Sequence, residues 1–185
     1  MIQAYIVTEG QSDANLLKRL LPAQLEKNVV FVVGSGSSDA QSLARSILAV
    51  KHHPVAFVLD ADTVDAELIK ERVDLNQDLL RYASAGTPFK VLLAVPTIET
   101  ILFQDRVLLE QLTQHRFTDV EWAQAEFVPG LVLQKVLSGT IQPLTLDDLI
   151  QRLTGEMIDK LSAHPLICEL SQFLAEVTEL QPVVS

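Results

Sequence analysis

Four short apolar runs recur along the first hundred residues, each followed by turn-forming residues and then by a stretch with helical spacing. The runs cover residues 2–8, 28–33, 55–59 and 89–95. Runs of this length, rich in Val and Phe and flanked by polar residues, read as strands, and the second and third read as buried on both faces. Between them, Leu16, Leu17, Leu20 and Leu21 mark one helical face, with Pro22 at or past its end. A second helix starts near Asp39 and turns Leu43, Ala44, Ile47 and Leu48 inward. A third spans 65–84 on Leu68, Ile69, Val73, Leu79, Leu80 and Ala83, and Gly86-Thr87-Pro88 breaks it. Strands alternating with helices predict a parallel sheet with helices on both faces. Right-handed crossovers restrict the strand orders, and the pattern fits 2-1-3-4 with a switch point between strands 1 and 3. The expected fold is α/β and Rossmann-like.

Beyond residue 104 the pattern is helical only. Val107, Leu108 and Leu112 share one short helix, and 120–137 holds further helical stretches broken near Pro129-Gly130. Thr145 is placed to cap a helix over 146–153, and two more follow near 155–162 and 165–180. The expected organisation is an α/β unit over 1–104 and a helical extension over 105–185 that covers the sheet edge or forms a small cap.

The third apolar run leads straight into Asp60-Ala61-Asp62-Thr63. A buried strand cannot hold a bare carboxylate, because desolvating the charge is costly. Asp60 and Asp62 therefore belong where the strand meets solvent, at the end where open parallel sheets bind ligands. Side-chain alternation would turn both the same way for as long as the strand continues. Glu9 ends the first strand and Glu99 follows the fourth, so the 2-1-3-4 order gathers acids from three strand ends into one crevice. Asp13 lies one helical turn beyond Glu9. Like charges gathered there need a proton or a cation between them, and a hard divalent ion suits an all-oxygen site. Each acid also has an ordinary reading. Asp62 could cap the next helix, Asp60 could be a turn residue, and Asp13 and Glu99 could be first-turn acids favoured by the helix dipole.

Composition narrows the field. Apolar residues make up 48% of the 185 and charged residues 21%, which is the balance of a folded globular chain. Net charge is −10, which argues against a broad basic face that coats nucleic acid but allows an acidic site that meets phosphates through cations. No stretch has the length of a membrane span or the layout of a signal peptide, so the expectation is a cytoplasmic protein with no membrane partner. The single Cys168 leaves no disulfide framework, and its partly apolar surroundings suggest a core position.

Other motifs carry less. Gly34-Ser35-Gly36 follows the second strand without the third glycine of a dinucleotide fingerprint and reads as a loop. Lys51, His52 and His53 read as a solvated loop. Lys18, Arg19 and Arg45 read as solvated helix faces. No nucleophile elbow and no Walker loop is present.

The segments Ile6-Val7-Thr8-Glu9-Gly10 with Asp13, then Leu59-Asp60-Ala61-Asp62, then Ile98-Glu99, in that order, resemble the Toprim domain. The Glu9-to-Asp13 spacing and the Glu99 element are most similar to the Toprim domain of nucleases of the overcoming-lysogenization-defect type. The resemblance covers about residues 2–103. It implies Mg²⁺- or Mn²⁺-dependent phosphodiester hydrolysis on DNA or RNA, with Asp60 and Asp62 holding the metal. Glu9 would be a ligand or a general acid/base, and Asp13 and Glu99 would complete a second metal position. Nucleases of that type carry an ATPase domain that this chain lacks, which implies a separate ATPase partner; a homo-oligomer stays open. Two alternatives stand beside it. One is a phosphatase or phosphotransferase of haloacid-dehalogenase type, with Asp60 as nucleophile and Asp62 as acid. The other is a non-catalytic binding or regulatory module.

Overall fold

The computed structural model describes residues 4–139 and 143–179. Strand β1 (Ala4–Thr8) leads into helix α1 (Gln11–Leu20) and the single turn α2 (Ala23–Glu26). Strand β2 (Val29–Val33) is followed by α3 (Ser37–Ser46), which continues as a π-helical turn over Ile47–Lys51. Strand β3 (Val55–Asp60), α4 (Ala66–Ser84) and β4 (Phe89–Ala94) complete the sheet, and a 3₁₀ turn over Ile98–Gln104 leaves it. All pairings are parallel and the order is β2-β1-β3-β4, as the alternation of elements predicts. Residues 2 and 3 of the first expected strand, and residue 180 of the last expected helix, lie outside the described residues.

The period-two alternation of the central strands sorts two separate cores. Ala4, Ile6, Ala56 and Val58 face one side, where they join α1 and the C-terminal helices. Tyr5, Val7, Val55, Phe57 and Leu59 face the other, against α3 and α4. The strands turn nearly all their residues into apolar cores, which is why they read as continuous apolar runs. β2 differs from expectation in burial alone: at the edge position that the predicted order gives it, all five of its residues are only half buried.

The helical half contributes α5 (Arg106–Thr113), α6 (Asp119–Ala125), α7 (Pro129–Ser138), α8 (Leu146–Arg152), α9 (Gly155–Leu161) and α10 (Pro165–Glu179). Their starts are written locally. The side chains of Asp105, Thr118, Thr145 and Thr154 each accept a backbone N–H of the following first turn. Pro129 opens α7, where a missing N–H costs nothing. α10 lies over β1, β3 and β4, and α1 packs on β1 and β2. The helical half, expected at the sheet edge or as a small cap, thus lies on one face of the sheet, where it and α1 form a single layer around a shared core.

Three side chains expected inside are outside. Leu68 and Val107 are exposed, because the faces of α4 and α5 that pack are narrower than the apolar spacing suggested. Cys168 is exposed on α10 rather than in the core. Among the described residues no helix is long and apolar enough to cross a membrane.

Candidate carboxylate site at the strand ends

Because Val58 faces the α1 side, the alternation carries Asp60 onto that same side at the last position of β3. Its Oδ1 accepts the Ile98 N–H at 2.8 Å, which ties the end of β3 to the turn after β4. Asp13, in the first turn of α1, accepts the Gly10 N–H through Oδ2 at 3.0 Å. Glu99 follows Ile98 in the 3₁₀ turn, and its Oε2 accepts the Thr97 hydroxyl. Glu9, just past β1, accepts the Asp60 N–H through Oε1 at 3.2 Å. Each of the four carboxylates therefore has one oxygen anchored by another residue's N–H or O–H, and among the described residues its second oxygen accepts no such bond.

Electrostatics follow from this crowding. Burial pushes the Asp60 carboxyl up to about 8, and the charges of Asp13, Glu99 and Glu9 add to the shift against the opposing Ile98 N–H. Burial also raises Asp13, helped by the charge of Glu99 and opposed by the Gly10 N–H. Glu9 is raised by burial as well, but the Asp60 N–H and the Arg72 guanidinium pull it back.

Asp62 departs from the expected alternation. Strand geometry ends at Asp60, Asp62 takes a left-handed backbone at φ 55°, and its N–H donates to the Pro96 carbonyl. Its side chain turns to the α4 face, where Oδ2 meets Arg72 Nη2 at 3.0 Å. The same Nη2 stands 3.9 Å from Glu9 Oε1, and Nη1 donates to the Ala61 carbonyl at 3.3 Å. Asp62 does not cap the next helix; Asp65 does, accepting from Glu67 and Leu68.

Two participants were not foreseen. Arg72 sits between Ile69 and Val73, positions that the apolar spacing turned inward, and a cation at such a position is the signal that could have found it. Gly130 lies in the first turn of α7, and a Cβ built there would stand 3.2 Å from the Glu99 carboxylate. Nothing local in the sequence ties residue 130 to residue 99.

The donor set, all carboxylate, suits a hard cation chemically. As the side chains lie, no group of three or more His, Cys, Asp or Glu among the described residues is arranged to share one metal ion. Of the remaining sequence features, the Gly34 loop has a packing reason: a Cβ at Gly34 would stand 2.6 Å from the Ala40 backbone nitrogen. Lys51 and His52 are exposed and His53 is half buried against Tyr5, at the opposite end of the strands from the acids. Arg19 donates to the Leu153 carbonyl, and Lys18 pairs with Glu26 at 3.7 Å. Set against known proteins, the chain matches no family model, and neither a curated protein nor a solved structure matches it.

Proposed function

We propose that this rim is a divalent-cation site for phosphodiester hydrolysis on nucleic acid, of the kind found in Toprim nucleases. One observation carries the reading. Glu9, Asp13, Asp60 and Glu99, distant in sequence, meet at the carboxyl end of a parallel sheet, and among the described residues no Lys or Arg pairs with Asp13, Asp60 or Glu99, while Glu9 alone of the four has Arg72 beside it, at 3.9 Å. Asp60 accordingly holds a proton to about pH 8. Mg²⁺ or Mn²⁺ in place of that proton would sit among Asp60, Asp13, Glu99 and Glu9, with Asp62 reaching the rim only by leaving Arg72. A bound divalent ion would supply Lewis-acid stabilisation of the phosphate oxygens and lower the pKa of a water nucleophile.

The chain's own residues supply the positioning. The Ile98 N–H and the Thr97 hydroxyl fix Asp60 and Glu99. Glu9, half buried with its proton affinity raised, is suited to accept or return a proton near the reacting phosphate. Arg72 offers a guanidinium at the edge of the site, where it could turn from Asp62 to a phosphate oxygen.

The test compares wild type with Asp60→Ala on plasmid and on single strands, with Mg²⁺ or Mn²⁺. Cleavage is expected from the wild type and loss to background from the variant. Binding of the ion to the folded state should also raise the melting temperature of wild type and not of Asp60→Ala. Equal cleavage by both proteins would reject the site. A second reading is a non-catalytic module, favoured by the present side-chain arrangement, in which no three acids surround one point. Unchanged melting at millimolar Mg²⁺ and Mn²⁺, together with no cleavage, would select it.

A further inference from the structure

A groove of about 480 Å³ opens directly beside Glu99. One wall is the face of α7 formed by Gly130, Leu133, Leu137 and Ser138, and the other is the segment 144–146. From Gly130 to Ser138 a helix rises about 12 Å, so the groove leads away from the carboxylates along the helix axis. The Leu144 N–H donates to the Leu137 carbonyl at 3.2 Å and ties the two walls together. Gly130 keeps the throat open, because a side chain there would press on the Glu99 carboxylate.

The lining defines what fits. The half-buried Leu144 and Leu146 supply apolar surface over the edges of the buried Leu133 and Leu137, and at the margin the Gln134 amide is exposed while the Ser138 hydroxyl donates to the Gln134 carbonyl and can still accept. Among the described lining residues Glu99 is the only charged one, and it is negative. A chain of phosphates would be repelled there and would find no Lys or Arg. An uncharged, flat body with polar edges would bury its faces on leucine and keep its edge hydrogen bonds. The volume lies within the range of small-molecule sites.

Resting on the phosphodiester reading above, we infer that the groove along α7 holds the nucleoside next to the phosphate at the carboxylate rim. A base in such a groove cannot also be stacked and paired in a duplex. The substrate at that position is therefore an unpaired nucleotide, as in a single strand, a frayed end or a loop.

The experiment titrates the full chain, free of metal, with adenosine, guanosine, cytidine and thymidine by calorimetry. The same titration is run on Ser138→Trp and Gln134→Trp, two exposed positions where an indole would fill the groove. At least one nucleoside is expected to bind wild type, and its affinity should fall by about tenfold or more in a variant whose melting matches wild type. With Mg²⁺ present, a short single strand should bind at least about tenfold tighter than the same sequence in a blunt duplex. No nucleoside binding at millimolar concentration, equal binding to wild type and a folded tryptophan variant, or a preference for the duplex would each overturn the inference. Because the nucleoside carries no phosphate and the titration contains no metal, its result is separate from the cleavage test. Nucleoside binding that the tryptophans abolish would support the groove even if Asp60→Ala left cleavage unchanged.

Discussion

The rim has two halves that differ in how they handle negative charge. On the α1 side, Asp13, Asp60 and Glu99 face one another with backbone N–H groups and one hydroxyl as their partners. On the α4 side, Glu9 and Asp62 share the guanidinium of Arg72. Asp13 and Asp60 on the first side are raised by burial and by neighbouring negative charge, and Asp60 reaches about 8. Glu9, standing between the halves, is raised by burial but pulled back by Arg72. Both halves follow from the sheet. Alternation on β3 sends Asp60 to the α1 face, and the left-handed turn at Asp62 sends the next acid to the α4 face. The lesson is that two acids one residue apart can belong to different electrostatic environments once the strand between them has ended.

The largest effect on stability should come from Asp60→Asn in metal-free buffer. The folded protein keeps the Asp60 proton to about pH 8, whereas the unfolded chain releases it near the ordinary value of 3.8. Between those values the folded state binds the extra proton, so stability falls as pH rises through that window and levels off above about 8. Asparagine keeps an acceptor for the Ile98 N–H and does not titrate. Chemical denaturation at pH 5 and pH 8 should therefore show the variant more stable than wild type by about 2 kcal/mol at the higher pH, with much of the slope gone. An unaltered slope would mean that burial and the neighbouring acids do not hold the proton on Asp60.

Gly130→Ala probes the throat between α7 and Glu99. In an open helix the change would stabilise by about 1 kcal/mol. Here the added methyl meets a carboxylate already anchored by Thr97, and a net loss of about 1 kcal/mol is expected. Gly155→Ala, with open space at its Cβ, is the control and should be neutral or stabilising. Thermal melting of the two variants decides the sign.

The smallest effect belongs to Arg72→Ala. Its ion pair with Asp62 is partly solvated, so the loss should stay below about 1 kcal/mol. Its mark is on proton affinity instead: the Glu9 carboxyl should titrate at higher pH once the guanidinium is gone, read by carboxyl carbon NMR shifts. If Glu9 does not move, the α4 half is not the compensated one.

Much of the architecture was legible along the chain. Apolar runs separated by helical spacings predicted four parallel strands in the observed order, because buried parallel strands cannot hide their composition and right-handed crossovers leave few alternatives. The helix start at Thr145 could be read for a similar reason, since caps act within one turn, whereas Pro129-Gly130, read only as a break, proves to open α7. Errors fell where burial depends on neighbours from elsewhere: β2 is only half buried although its apolar run reads as a buried strand, and Leu68 and Cys168 are exposed.

By itself, then, the sequence determined that Glu9, Asp60 and Glu99 stand at the ends of adjacent strands, because strand order and strand length are local and combinatorial matters. Only the tertiary structure decided that Asp62 leaves Asp60 for Arg72, that Gly130 makes room for Glu99, and that α7 walls a groove beside it. Those relations join residues about ten to forty positions apart through side-chain direction and close packing, and neither is written in the spacing of any one segment.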